Sequence, residues 1–216
     1  WCGVVKMACE VARLHQMPVI AGCGSNNTAT VVELTKLAGE MGANGALVVT
    51  PYYNKPTPAG LLAHYRHVAD NSPIPVVLYN VPSRTNICLQ PETVFELFQH
   101  PNIVGIKEAS GQHGLWLSLV QKMDLKTKGL LSGDDDAFST ILSLGGCGII
   151  SATANVAPRF FVKLFEHASK GEWEKAVAVQ KQFQPLIRSM FAETSPAPIK
   201  YALKCLHGYE NELRLP

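Results

Sequence analysis

The chain has 216 residues, of which 47% are hydrophobic and 17% charged, and its formal net charge is +2. This composition is typical of a globular protein and excludes an intrinsically disordered chain. No basic cluster has the density that nucleic-acid binding needs, and no apolar run approaches the roughly 20 residues that cross a bilayer. We therefore expect a soluble protein whose partners include neither nucleic acid nor membrane.

The cysteines are dispersed along the chain without a C-x-x-C pair, and most lie in apolar runs. A cysteine in such a setting behaves as a small hydrophobic residue. The pattern therefore predicts reduced thiols and a cytoplasmic location. The six cysteines are Cys2, Cys9, Cys23, Cys88, Cys147 and Cys205.

Helical and strand-like segments alternate from the start of the chain. Apolar residues recur at helical spacing between positions 4 and 14, and a short β-rich run follows. The predicted strands cover 18–21, 45–50, 75–81, 103–108, 130–132 and 148–152. The predicted helices between them cover 28–41, 58–71, 91–99, 114–122 and 135–144. After the sixth strand only helices are predicted, near 158–169, 172–191 and 198–206.

The predicted strands are apolar at nearly every position, as expected of a parallel sheet with both faces covered. Alternating strands and helices indicate either a doubly wound open sheet or a (β/α)8 barrel. A dinucleotide-binding open sheet needs G-x-G-x-x-G after its first strand. The corresponding segment, Gly22-Cys23-Gly24, lacks the third glycine. The pattern is therefore compatible with a barrel, in which catalytic groups lie at the carboxyl ends of strands.

Lys107 is the most informative residue at these strand ends, because it closes the apolar strand 103–106. Partial burial there would lower the pKa of its amine and make it a nucleophile for Schiff-base chemistry. The alternative is a lysine that extends into solvent or pairs with Glu108.

Two tyrosines and an arginine are predicted near the same rim. Tyr53 follows the second strand, and Tyr79 closes the third. Together they are suited to moving the protons that a Schiff-base reaction requires, although each alone also fits an aromatic lid packed on the core. Arg84 is suited to binding a substrate carboxylate, and its alternative is a surface ion pair.

Two other groups of polar residues suggest metal ligands only weakly. His64 and His67 lie on one face of a predicted helix, which also fits a solvated surface. The acidic run 134–136 fits the start of a helix as well as it fits Mg²⁺. We predict no metal site.

The motifs at the strand ends, taken together, resemble those of the dihydrodipicolinate synthase family of class I pyruvate-dependent aldolases, which also includes N-acetylneuraminate lyase. The resemblance runs from about Val4 to Pro216. The motifs are Ala21-Gly22-Cys23-Gly24-Ser25-Asn26, Thr50-Pro51-Tyr52-Tyr53-Asn54-Lys55-Pro56, Leu78-Tyr79-Asn80-Val81-Pro82-Ser83-Arg84-Thr85, Gly105-Ile106-Lys107-Glu108-Ala109-Ser110, Leu131-Ser132-Gly133-Asp134-Asp135 and Ser151-Ala152-Thr153-Ala154-Asn155-Val156.

The resemblance implies a (β/α)8 TIM barrel with extra C-terminal helices, assembled as a homo-oligomer, usually a tetramer of tight dimers. Residues 1–156 would form part of the barrel and 157–216 the helical region. The implied reaction condenses pyruvate with aspartate semialdehyde in lysine biosynthesis by the diaminopimelate route, without a metal or an organic cofactor.

The resemblance also assigns roles to individual residues. Lys107 matches the Schiff-base lysine, and Tyr79 the tyrosine that relays protons and orients the intermediate. Tyr53 matches the tyrosine that reaches across the tight dimer into the neighbouring site. Arg84 matches the arginine that binds the carboxylate of the semialdehyde.

Two further positions match the lining beside the bound keto acid, Gly133 and Ile150. Sister aldolases of the family share the lysine and the first tyrosine but use other aldehydes, and Ser83-Arg84-Thr85 favours the synthase over them. Thr30 stands where lysine-sensitive members tend to have an acidic residue, which argues against inhibition by lysine. Asn86 replaces a frequent glycine.

Family members have two further βα units before the segment that this chain matches. The second carries a G-T-T-G-E motif whose threonines bind the pyruvate carboxylate. We therefore expect a six-stranded portion of the barrel that is at best weakly active by itself and that depends on assembly or on further sequence. An impaired chain that acts as a structural or regulatory partner is the alternative from another functional class.

Overall fold

The computed structural model describes residues 1–215. The chain divides into two compact units, and the boundary between them in the sequence lies between Leu130 and Leu131. The strands are β1 (Ile20–Gly22), β2 (Gly45–Val49), β3 (Val76–Asn80), β4 (Ile103–Glu108), β5 (Gly129–Ser132) and β6 (Gly148–Ile149). The helices are α1 (Cys2–Leu14), α2 (Thr28–Glu40), α3 (Pro58–Asn71), α4 (Pro82–Thr85), α5 (Pro91–Leu97), α6 (His113–Lys122), α7 (Phe138–Ser143), α8 (Pro158–Ser169), α9 (Trp173–Met190) and α10 (Ala197–His207).

The first unit is a parallel sheet flanked by helices. Strands β1 to β4 pair in chain order, and every pair is parallel. Their apolar side chains form the core, and Val48, Leu78, Ile103 and Ile106 have no exposed surface. The prediction of alternating βα units in a parallel α/β fold is confirmed, and six strands occur over residues 1–215, as predicted.

Side-chain caps explain why two helices begin where the sequence predicts. The Asn27 side chain accepts a hydrogen bond of 3.2 Å from the backbone N–H of Thr30 at the start of α2. The Thr57 hydroxyl accepts one of 3.2 Å from Gly60 N–H at the start of α3. Each cap satisfies a donor that the first helical turn leaves unpaired. Pro58, at the first position of α3, has no such donor to satisfy.

Close packing of backbones fixes the middle of β4. A Cβ atom added at Gly105 would lie 2.6 Å from the carbonyl oxygen of Gly129. Real Cβ atoms do not approach so closely, so any side chain at position 105 would displace backbone. Lys107 lies two residues further along the same strand.

The second unit begins at Leu131 and is mainly helical. Strand β5 pairs in parallel with β6, which has only two residues. Aromatic side chains from α7, α8 and α9 build its core, where the Phe160 and Phe183 rings stack with centroids 4.3 Å apart. The three helices predicted after the last strand are confirmed as α8, α9 and α10.

Two short helical segments were not predicted from the sequence, namely α4 and a 3-10 turn at Thr153–Asn155. Both are too short for hydrophobic periodicity to reveal them. The predicted strand 148–152 ends after Ile149, and the Ser151 hydroxyl accepts a 2.9 Å hydrogen bond from Ala154 N–H, which favours a turn there.

The acidic run 134–136 lies at the beginning of a 3-10 turn, where two of its carboxylates accept hydrogen bonds from protein donors. An Asp135 carboxylate oxygen accepts from Thr153 N–H at 3.0 Å. An Asp136 oxygen accepts from the Gln184 amide at 2.6 Å. Over residues 1–215, no group of three or more His, Cys, Asp or Glu side chains is arranged to hold a metal ion.

His64 and His67 have different environments although both lie on α3. His64 is buried, with its Nδ1 atom 2.9 Å from the Thr28 hydroxyl, whereas His67 is exposed. The interpretation of the pair as a solvated helix face is therefore wrong for His64, because α2 covers it. Burial, and secondly the nearby His67, lowers the pKa of His64 from 6.5 to about 4.

This lowered pKa predicts a loss of stability on acidification. Folded His64 resists protonation, so its contribution is fully present above pH 6.5 and is lost as the pH falls towards 4. A shift of this size corresponds to about 3 kcal/mol of unfolding free energy. Urea unfolding at a series of pH values should show this loss for the parent and much less of it for His64→Asn. His67→Asn, at an exposed site, should keep the parent's pH dependence; equal slopes for all three proteins would contradict the prediction.

Two further observations concern the cysteine side chains and the possibility of a membrane-spanning helix. None of the six cysteines is in a disulfide, and burial raises the pKa of Cys23 to about 12. No helix in the described part of the chain combines the length and the apolar character needed to traverse a lipid bilayer.

Candidate active site

Lys107 and Tyr79 face each other across the β3–β4 pair. They are direct register partners, and the Lys107 amine lies over the Tyr79 ring, 4.0 Å from its centroid. Lys107 is buried, with 8% of its surface exposed. The alternative of a lysine extended into solvent therefore does not apply. Instead, an amine at the end of a parallel strand lies beside an aromatic ring with a phenolic hydroxyl.

Glu108, the next residue, belongs to the opposite face of the strand, since successive side chains in a strand alternate. Its carboxylate has no exposed surface and accepts hydrogen bonds from the Asn80 amide at 2.8 Å and from Ser110 N–H at 2.6 Å. Burial is the main cause that raises the pKa of Glu108, and the hydrogen bonds from Ser110 and Asn80 oppose it. The carboxylate thus has its own partners away from the face of Lys107.

Arg84 lies on α4, directly after β3. The Thr85 side chain anchors this helix, because its hydroxyl accepts a 3.0 Å hydrogen bond from the Thr50 hydroxyl at the end of β2. Asn86 ends the helix with a φ of 56°, in the left-handed region that glycine and asparagine adopt most readily. The replacement of a frequent glycine by Asn86 is therefore compatible with the turn. The Arg84 side chain is exposed and accessible to an anionic ligand.

Tyr53 is 88% exposed and has a φ of 74°. A non-glycine residue in this left-handed conformation is strained and requires support from its surroundings. The neighbouring Asn54 supplies support, because its amide donates a 2.9 Å hydrogen bond to the carbonyl oxygen of Asn26. The interpretation of Tyr53 as a lid packed on the core is wrong, since its ring is presented to solvent.

Gly133 and Ile150 belong to the second unit. Gly133 follows β5, and Ile150 follows β6. The Ile150 N–H donates a 3.0 Å hydrogen bond to the carbonyl oxygen of Ser132, next to Gly133. The two positions therefore lie together at the carboxyl end of the β5–β6 pair.

Sequence reasoning missed four polar residues around the first unit's site: Asn80, Glu108, Thr50 and Thr85. All four are fully or almost fully buried. For Asn80, Glu108 and Thr50, the available signal was a polar residue at the end of an otherwise apolar strand, which requires a hydrogen-bond partner when it is buried.

A buried lysine at the end of a parallel strand, with a tyrosine opposite it, is typical of the α/β enzymes of TIM-barrel type that bind a carbonyl substrate through a Schiff base. The chain belongs to the dihydrodipicolinate synthetase family, whose family model matches residues 2–216.

Comparison with known proteins agrees over nearly the whole chain. The 4-hydroxy-tetrahydrodipicolinate synthase of Thermodesulfovibrio yellowstonii is 47% identical over 213 residues, which are 99% of this chain and 72% of that protein. The enzyme of the same name from Methanospirillum hungatei is 45% identical over 201 residues, 93% of this chain and 69% of that protein.

Solved structures show the same fold. The dihydrodipicolinate synthase of Aquifex aeolicus has a TM-score of 0.96 and 38% identity, and the match covers 100% of this chain and 73% of that one. The Thermotoga maritima enzyme has a TM-score of 0.96 and 39% identity, covering 100% and 74%.

Proposed function

We propose that this protein is a 4-hydroxy-tetrahydrodipicolinate synthase, a lyase that condenses pyruvate with L-aspartate semialdehyde in lysine biosynthesis. The observation that carries the proposal is the placement of the Lys107 amine 4.0 Å from the centre of the Tyr79 ring, in a chain that belongs to this enzyme family. The first substrate requires an amine nucleophile, and the buried position of Lys107 suits this role.

In the proposed reaction, the Lys107 amine attacks the keto carbon of pyruvate, and the resulting carbinolamine loses water to form a Schiff base. Loss of a methyl proton then gives an enamine, whose carbon attacks the aldehyde carbon of the second substrate while the aldehyde oxygen takes up a proton. The amino group of the second substrate next displaces Lys107, which closes the ring and frees the lysine. We assign the proton transfers of these steps to the Tyr79 hydroxyl.

Three further predicted site residues contribute to substrate binding. Arg84 binds the carboxylate of the semialdehyde through its planar guanidinium group. On the family resemblance alone, we assign the backbone at Gly133 and Ile150 to binding of the keto acid. The Schiff base itself withdraws electrons from the reacting carbon, so the proposed chemistry uses no metal and no organic cofactor. We place the reaction in the cytoplasm, where the six cysteine thiols remain reduced.

A sister aldolase with the same lysine chemistry is the second candidate, and the aldehyde decides between them. Pyruvate consumption should be measured with aspartate semialdehyde, with an N-acyl sugar and with neutral aldehydes of similar size. The proposed function predicts turnover only with the semialdehyde, because Arg84 recognises a carboxylate. Preferential turnover of an uncharged aldehyde would identify a sister aldolase instead.

We further propose that the protein is a homo-oligomer in which Tyr53 completes the site of a neighbouring copy. Its exposed ring and strained, supported backbone suit a residue that acts outside its own chain. Tyr53→Phe should lower kcat by about 10²-fold, the lower end of the contribution that a positioned proton donor makes.

Co-expression of Tyr53→Phe with Lys107→Ala tests this arrangement, because each variant alone should be nearly inactive. If Tyr53 acts across the interface, a mixed dimer contains one site with both native side chains, and activity returns. If Tyr53 acts within its own chain, no mixture contains such a site, and activity stays absent. A control mixture of Tyr79→Phe with Lys107→Ala should remain inactive, since both of those side chains belong to the same site.

A further inference from the structure

Two buried side chains connect β3 to β4 directly behind the lysine and the tyrosine. The Asn80 amide donates to a Glu108 carboxylate oxygen at 2.8 Å, and the two residues are register partners. Tyr79 and Lys107 are the preceding partners in the same register. Because side chains alternate along a strand, the Asn80–Glu108 pair occupies one face of the strand pair and the Lys107–Tyr79 pair the other.

Asn80 also holds the far end of the segment that carries Arg84. Its side-chain oxygen accepts a 2.9 Å hydrogen bond from Leu89 N–H. Residues 81–89 therefore form a loop that begins directly after Asn80 and whose last residue is bound by the Asn80 side chain. One side chain thus contacts both β4, beside Lys107, and the far end of the segment that carries Arg84.

We propose that Asn80 and Glu108 are positioning residues for the condensation, an inference that rests on the proposed function. Their hydrogen bond keeps Lys107 opposite Tyr79, and the second bond of Asn80 keeps the Arg84 segment at a fixed place relative to that pair. Neither residue touches the substrates in this scheme. They act by setting where the nucleophile, the proton carrier and the carboxylate-binding group lie.

The chemistry of the pair makes the arrangement sensitive to small changes. One Glu108 oxygen accepts from the Asn80 amide and the other from Ser110 N–H, and these groups are buried or half-buried. A buried group that loses its partner retains its full desolvation penalty, so the strands shift or water enters. A displacement of about 1 Å in a reacting group can lower a rate by about 10²-fold.

Two single substitutions break the pair in opposite ways. Asn80→Asp keeps an acceptor for Leu89 N–H but places a carboxylate against that of Glu108. Glu108→Gln keeps one acceptor but places an amide donor against either the Asn80 amide or Ser110 N–H. Each should lower the rate of borohydride-trapped pyruvate adduct formation by about 10²-fold. Glu10→Gln, an exposed and chemically matched control, should leave the rate unchanged.

The pH profile separates positioning from a general loss of folding. In Asn80→Asp the two carboxylates can share a proton at low pH, which re-forms the hydrogen bond. Its adduct rate should therefore fall with rising pH relative to the parent. The rate of Glu108→Gln relative to the parent should not depend on pH in this way, because its amide does not titrate.

The double variant Asn80→Asp with Glu108→Gln reverses the polarity of the pair. The new amide can donate to the new carboxylate, the other carboxylate oxygen can accept from Leu89 N–H, and the amide oxygen can accept from Ser110 N–H. These three hydrogen bonds of the parent are thereby restored. We expect most of the adduct rate and of kcat to return, and the excess pH dependence to disappear.

Four outcomes are decisive. Recovery in the double variant supports the proposal, with melting temperatures measured in parallel. Single variants that react like the parent, or a double variant that folds like the parent but stays slow, overturn it. A parent protein that forms no pyruvate adduct on Lys107 instead contradicts the proposed function.

Discussion

Lys107→Ala is expected to abolish the borohydride-trapped pyruvate adduct and to lower kcat by several orders of magnitude. The covalent route cannot proceed without its nucleophile, and the other groups of the site provide only binding and proton transfer. The adduct should be measured by intact mass and located by peptide mapping. Because the lysine lies over an aromatic ring, its truncation also leaves a space, so a melting temperature should accompany the activity.

Lys128 supplies the matched control. Burial lowers the pKa of this second lysine, and its amine donates to the carbonyl oxygens of His100 and Ile103, before and at the start of β4. Lys128→Gln should therefore keep the adduct on Lys107. An adduct that survives Lys107→Ala, or one that disappears in Lys128→Gln while the protein stays folded, would contradict the assignment of the nucleophile.

Arg84→Ala is expected to leave pyruvate adduct formation unchanged and to raise KM for aspartate semialdehyde. The side chain is exposed in the free protein, so the relevant scale is a hydrogen bond to a charged ligand, about 1.5–3 kcal/mol. This corresponds to roughly 10- to 150-fold in kcat/KM for the semialdehyde. Steady-state kinetics with each substrate varied in turn would measure it.

Arg84→Lys is the informative companion, because it keeps the charge and removes the planar fork. It should fall between the parent and Arg84→Ala if the arginine binds a carboxylate with two hydrogen bonds. If Arg84→Ala instead loses the pyruvate adduct as well, the residue supports α4 and does not select the second substrate.

Most of the fold was predictable because local chemistry and tertiary structure agree. The helix beginning at Thr28 has a capping asparagine before it, and the one beginning at Pro58 has a capping threonine and a proline. The strands were recognisable from continuous apolar runs, since both faces of a parallel sheet are buried. The boundaries of β4 agree with the prediction at both ends.

The parts that were not predictable depend on contacts distant in sequence. His64 has the sequence features of a solvated residue, yet α2 covers it and supplies Thr28 as its partner. Asn80 and Glu108 are separated by 28 positions and meet only because β3 and β4 pair. The candidate site was partly predictable, since Lys107 and Tyr79 both close apolar strands. That they lie opposite each other follows only from the register of β3 and β4, which the sequence does not show.

Gly105 limits how this enzyme can be redesigned. Position 105 lies two residues before the lysine. A Cβ atom added there would lie 2.6 Å from the carbonyl oxygen of Gly129. Strand β4 therefore offers a protein engineer little freedom, because enlarging the residue at 105 moves the strand that carries the nucleophile. Libraries aimed at new aldehyde acceptors should instead vary the solvent-facing positions of the segment that carries Arg84. Ser83 is one such position, because its side chain is exposed.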